Sequence, residues 1–120
     1  MHNIELQNQR FASMLFATVY PLYLNKIGRK GRTHEELNQV ITWLTGFDTA
    51  KIEALISEKV TFDTFFHQVS LHPNASQITG LICGYRLEEI NNPLTQKVRY
   101  LDKLVDELAK GKSMDKILRK

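Results

Sequence analysis

Cysteine is nearly absent from this chain: Cys83 stands alone among 120 residues. A lone thiol closes no intramolecular disulfide, so the fold must rest on packing rather than on cross-links. Proline is scarce at three residues and glycine at six, which leaves long stretches free of helix breakers. Long apolar runs are missing too. The longest spans Met14 to Ala17, against the roughly 18 residues that a membrane-spanning helix requires. The first ten residues are polar and lack the charged start and apolar core of a secretory signal. Together these features point to a soluble protein of a reducing cytoplasm, with no membrane partner. There is no phosphate-cradling glycine loop and no nucleophile-elbow motif. His67 and His72 are five apart rather than three or four, so they share no helical face and suggest no metal site.

What is present is an ordinary globular composition, 42% hydrophobic and 24% charged. It fits a single domain over residues 1–120, with residues 1–12 as a loosely ordered N-terminal arm. Apolar residues recur at helical spacing, with almost no strand alternation. The strongest segment runs from Asn92 to Gly111. Leu94, Val98, Leu101, Leu104, Val105 and Leu108 form one stripe, Asn92 caps the start, Pro93 takes the first position and Gly111 the stop.

The rest divides in the same way. A first helix is expected from Thr18 to Gly28 with Pro21 in its first turn, and Thr33 with Glu36 forms a capping box for a second that stops at Gly46. Asp48 or Thr49 caps a third and Thr61 a short fourth. A fifth is expected after Pro73 and Asn74, with Ile78, Leu81, Ile82 and Tyr85 inward, and Ser113 caps a last turn through Leu118. The fold class is therefore all-α: an irregular orthogonal bundle of about six helices, centred on the sixth.

Charge is segregated. Net charge is +3, but residues 26–32 hold Lys26, Arg29, Lys30 and Arg32 with no acid, and residues 110–120 carry five basic residues against Asp115. Each block is +4 and the remainder is −5. If the loop and the tail meet in the fold, these four residues and Lys112, Lys116, Arg119 and Lys120 make one positive face on an acidic body, a footprint for a polyanion or an acidic protein partner. The plainer alternative is a solubilising loop and a solvated tail.

Other residues bear both structural and functional readings. Gly80 and Gly84 lie four apart in the fifth segment, where a helix would put them on one face for close packing. Cys83 between them is an inert small hydrophobe unless a base lies nearby. Trp43 falls about 100° off the centre of its helical stripe. With Phe47 it either covers a neighbouring helix or contributes to a partner surface. Asp102 and Asp106, one turn apart, have Arg99, Lys103 and Lys110 at helical spacing, which favours ordinary surface ion pairs.

Several segments together resemble a bacterial family known only as domain of unknown function 2200. They are residues 19–23 (Val-Tyr-Pro-Leu-Tyr), 30–33 (Lys-Gly-Arg-Thr), 43–46 (Trp-Leu-Thr-Gly), 78–84 (Ile-Thr-Gly-Leu-Ile-Cys-Gly) and 99–111, and the match runs from Phe16 to Arg119. Tyr85 and Leu87 stand where smaller branched residues are expected. The resemblance implies a small bacterial helical protein and carries no catalytic residues to transfer. With no nucleophile and base, metal set or cofactor loop in view, the expected role is a non-catalytic interaction module that needs no cofactor and takes a protein, a second copy or nucleic acid as partner. The rival is an enzyme or small-molecule binder built around Gly80, Cys83, Gly84 and Tyr85.

Overall fold

In the computed structural model, which describes residues 4–119, helices begin where short polar side chains can satisfy their first backbone donors. Helix α3 (His34–Thr45) opens on the expected capping box: Thr33 Oγ1 accepts from the Glu36 amide at 3.3 Å, and the Glu36 carboxylate accepts from the Thr33 amide at 3.1 Å. Asp48 caps α4 (Thr49–Ser57) through the Lys51 amide at 2.8 Å, and Thr61 caps α5 (Phe62–His67) through the Thr64 amide at 3.2 Å. The long helix α6 (Pro93–Ala109) starts on Asn92, whose side chain accepts from the Thr95 amide at 2.9 Å. Gly111, at φ +83°, lets the Lys112 amide reach back to the Glu107 carbonyl at 3.1 Å and close its end. A short α7 (Met114–Ile117) follows, and Ile117 and Leu118 fold back into the core.

Two helices depart from the expected boundaries. Residues 4–13 of the expected loose arm and its border form a helix, α1 (Ile4–Ser13), which packs on α5 and α6. Helix α2 spans Phe16–Gly28 and so starts two residues before Thr18. Its start is set by backbone pairing rather than by a side-chain cap: the Phe16 amide donates to Val60 at 2.9 Å and the Phe62 amide to Met14 at 2.8 Å, across a Leu15–Thr61 bridge. Pro21 consequently lies inside the helix, beyond its first turn, and deprives the Ala17 carbonyl of its usual donor.

The expected fifth helix does not form. In its place the chain makes a single 3-10 turn, Ala75–Gln77, and a two-stranded antiparallel hairpin of β1 (Leu81–Ile82) and β2 (Tyr85–Arg86). Ile82 pairs with Tyr85 and Leu81 with Arg86. Cys83 and Gly84 form the two-residue connection, both with positive φ, +50° and +84°, as a tight hairpin turn demands. Gly80 and Gly84 therefore supply left-handed backbone, not a flat helical face. The helical spacing of Ile78, Leu81, Ile82 and Tyr85 misled because Ile78 and Ile82 are buried while Leu81 is 57% exposed.

Helix α6 packs against α1, α2, α3, α5, α7 and β1. Val98, Leu101, Leu104, Val105 and Leu108 form its buried stripe. Beneath it lies an aromatic cluster in which Phe16 stacks on Phe65 at 4.3 Å between ring centroids. The architecture is all-α, seven helices among the described residues with one small hairpin. No helix among the described residues is long and apolar enough to cross a membrane. Leu101→Ala or Leu104→Ala should cost about 2–5 kcal/mol, seen as a lower urea midpoint at unchanged slope. A far-ultraviolet circular dichroism spectrum should be dominated by helix.

Candidate functional site

The C-terminal ends of α2 and α6 lie together, and this brings the basic loop to the basic tail. Lys26 Nζ is 3.3 Å from Asp106, which Lys110 also reaches at 2.9 Å. Arg32 donates to the Lys112 carbonyl and pairs with Glu36 at 2.6 Å. The candidate cations then divide by what they touch. Arg32 and Arg119 are largely buried and act as ties, with Arg119 holding both oxygens of Glu107 at 2.8 and 2.7 Å. Lys112 reaches the same carboxylate at 3.3 Å. Arg29, Lys30 and Lys116 are exposed and have no acidic partner among the described residues. Lys120 lies outside the described residues.

Glu107 is the centre of this end. Burial pushes its carboxyl up, but the Arg119 fork and Lys112 outweigh that and hold it below its ordinary value. Asp106 is also lowered, as Lys110 and Lys26 outweigh its desolvation. Asp102 differs. Burial raises its carboxyl although the Tyr23 hydroxyl donates to it at 2.6 Å and Arg99 at 3.2 Å. The Tyr23 hydroxyl is itself pushed well up by burial and by that carboxylate. The expected ion pairs at helical spacing form from Lys110 to Asp106 and from Arg99 to Asp102, and Asp102 also turns toward α2 to take the Tyr23 hydroxyl. Lys103 pairs with neither and donates to the Leu81 carbonyl at 2.9 Å.

At the opposite end of α6 an open cleft of about 470 Å³ separates α1, the hairpin and the first turns of α6. Gln7 and Asn8 line one wall, Leu81, Gly84 and Tyr85 another, and Thr95 and Arg99 the α6 side. Thr95 Oγ1 donates to Asn8 Oδ1 at 2.5 Å and Gln7 Nε2 to the Tyr85 hydroxyl at 3.3 Å. Of the four hairpin candidates, the fold brings Gly84 and Tyr85 to this cleft. Gly80 instead donates its amide to the Glu88 carboxylate at 3.3 Å. Cys83 sits exposed at the turn, and no hydrogen bond or ion pair joins it to a histidine or carboxylate among the described residues. No cluster of potential metal ligands occurs among the described residues.

Trp43 is half-buried. It stacks on His72 with centroids 4.3 Å apart, and its indole N–H is enclosed without a hydrogen-bond partner among the described residues. Phe47 meets Phe65 edge to face at 5.3 Å. Both rings therefore spend much of their surface on neighbours within the chain. The Glu107 tie and the Arg99 setting escaped the sequence reading, because their partners lie on other elements or, for Arg119, past a glycine stop.

A family model described as an uncharacterized protein conserved in bacteria (DUF2200) matches residues 10–119. The crystal structure of uncharacterized protein SP1917 is similar, at 45% identity and a TM-score of 0.86, over 92% of this chain and 91% of that one. No curated protein matches.

The Glu107 tie sets an acid dependence. Its folded carboxyl lies below the ordinary 4.5, so its stabilisation is present above that value and is lost as pH falls through the folded one. Asp102, raised above its ordinary 3.8, acts in the opposite sense, so the comparison must be by difference. The stability gap between the native chain and Glu107→Gln should shrink as pH drops below 4.5. At neutral pH Arg119→Ala, which leaves a buried carboxylate short of its main partner, should cost about 3–5 kcal/mol in urea unfolding.

Proposed function

The chain belongs to a bacterial family of uncharacterized conserved proteins, and from that premise we propose that it is a non-catalytic interaction module, acting in the cytoplasm, that binds polyanions through the basic end of its bundle. One observation supports the reading above the others. The loop at residues 29–32 and the tail beyond α6 share one end, where Arg29, Lys30 and Lys116 are exposed and unpaired among the described residues. Lys26 and Lys110 are taken up by Asp106 beside two helix C-termini, where cations are favoured for structural reasons alone. Arg29 and Lys116 also stand at helix ends, of α2 and α7, but the three make no ion pair among the described residues.

No aromatic residue occurs in residues 26–32 or 110–120, so there is no platform for stacking bases. Binding of nucleic acid on this reading is led by phosphate contacts, indifferent to sequence and steeply weakened by salt. An acidic protein face would give a gentler salt response.

The test is a titration against duplex DNA and duplex RNA at two salt concentrations. The comparison protein carries Arg29→Ala, Lys30→Ala and Lys116→Ala, three exposed changes that leave the ties of Arg32 and Arg119 intact. Binding of the native chain should weaken with a linear log-log salt dependence, and the triple variant should lose up to about 0.9 of slope for each cation removed. No binding at low salt, or binding that the triple change leaves untouched, removes the proposal.

A further inference from the structure

Arg99 combines burial with access to a cleft. Its side chain is only 11% exposed, yet it lines the cleft at the start of α6. Its guanidinium carbon lies 4.6 Å from the centre of the Phe11 ring and 5.8 Å from that of Tyr85, which flank it with apolar faces. A single nitrogen donates to Asp102, at 3.2 Å, and Asp102 is itself fixed by the Tyr23 hydroxyl at 2.6 Å. The remaining guanidinium N–H groups have no protein partner among the described residues. Such a group is held rigid before any ligand arrives, with most of a planar donor fork unspent.

The walls complete the chemistry. Asn8 accepts from Thr95 through its side-chain oxygen, and its amide nitrogen has no protein partner among the described residues. At the rim Arg86 and Glu89 face one another at 3.9 Å and largely cancel. Leu81, 57% exposed, and half-buried Ile90 supply apolar surface. The hairpin wall is fixed in place, with Lys103 donating to the Leu81 carbonyl at 2.9 Å and Gln96 to the Leu87 carbonyl at 3.1 Å. A volume of about 470 Å³ lies within the range of small-molecule sites.

We propose that this cleft binds a small organic carboxylate with an apolar body, its carboxylate on Arg99 and the Asn8 amide and its body against Leu81, Tyr85 and Ile90. A planar monoanion matches the guanidinium fork two bonds to two. A dianionic phosphate suits the site less, because the Asp102 carboxylate shares the same guanidinium and would repel a second charge. The site is separate from the basic end: about 16 Å of α6, the stretch from Arg99 to Lys110 at about 1.5 Å per residue, lies between them. Either assignment can therefore fail alone.

The experiment is an amide NMR titration of the full chain with benzoate, 3-phenylpropanoate and octanoate, with 3-phenylpropanamide and inorganic phosphate as controls. At least one carboxylate should shift the amides of Asn8, Gly84, Arg86 and Asn91 saturably, and the neutral amide and phosphate should bind at least tenfold more weakly. Arg99→Gln should abolish the shifts. Because that change also strips Asp102 of its cationic partner and can unfold the chain, Leu81→Glu provides a second variant at an exposed position. It adds a repelling carboxylate to the wall and should weaken binding at least tenfold in a protein whose spectrum stays dispersed. Silence of all three carboxylates at millimolar concentration overturns the proposal. Equal binding of the amide, stronger binding of phosphate, shifts confined to Arg29, Lys30 and Lys116, or affinity unchanged in Leu81→Glu overturn it as well.

Discussion

Helix α6 is buried too deeply to leave its carboxylates to water. Eight of its seventeen residues are buried, and Glu107 is among them at 2% exposure. An ionised carboxylate in such a place is costly unless it is paired and hydrogen-bonded. Each acid on the lower half of the helix answers with a tie to another element: Asp102 to Tyr23 of α2, Asp106 to Lys26 of α2, and Glu107 to Arg119 beyond α7. The demand for partners fixes where α2 and the tail must lie. Apolar packing alone tolerates sliding of one helix past another, whereas a short hydrogen bond to a buried acid does not.

The same demand sorts the cations. At the basic end Lys26, Lys110, Lys112 and Arg119 are spent on the acids of α6, and Arg29, Lys30 and Lys116 are left to solvent. A count of Lys and Arg in the sequence therefore overstates the free positive charge at this end. Arg32 and Arg119 belong to the architecture, and Arg29, Lys30 and Lys116 belong to the surface. At the other end of α6, Arg99 spends one nitrogen on Asp102 and holds the rest at a cleft.

Most of the helices were legible in the sequence because their signals are local. The Thr33–Glu36 box, the Asp48, Thr61 and Asn92 caps and the α6 stripe each operate within one turn or one face. Convergence of the basic loop and tail was legible only as a condition, since the Arg32 contact with Lys112 spans 80 residues. Residues 78–85 were misread because four apolar positions happened to fall at helical spacing, and the competing signal was a pair of adjacent turn residues with positive φ. Cysteine is not a usual turn residue, so Cys83-Gly84 hid a hairpin that Asn-Gly would have announced. The α2 start was invisible because a backbone bridge to Thr61, not a side chain, creates it. Of the cleft only Gly84 and Tyr85 were singled out in the sequence, because its walls come from α1, a hairpin and α6, which only the tertiary fold assembles.

The late position of α6 in the chain has a consequence for biosynthesis. Hydrogen bonds from Gln7 to Tyr85, Thr95 to Asn8, Tyr23 to Asp102 and Arg32 to Lys112 close spans of 78 to 87 residues. As the polypeptide leaves the ribosome, the five earlier helices emerge with their apolar faces uncovered and wait for the segment that seals them. Loops of that length close slowly compared with single helices, so the nascent chain holds a partly formed assembly until α6 clears the exit tunnel. Docking of α6 joins the earlier helices to one core and assembles the cleft, and the tail completes the other end with Ile117, Leu118 and Arg119.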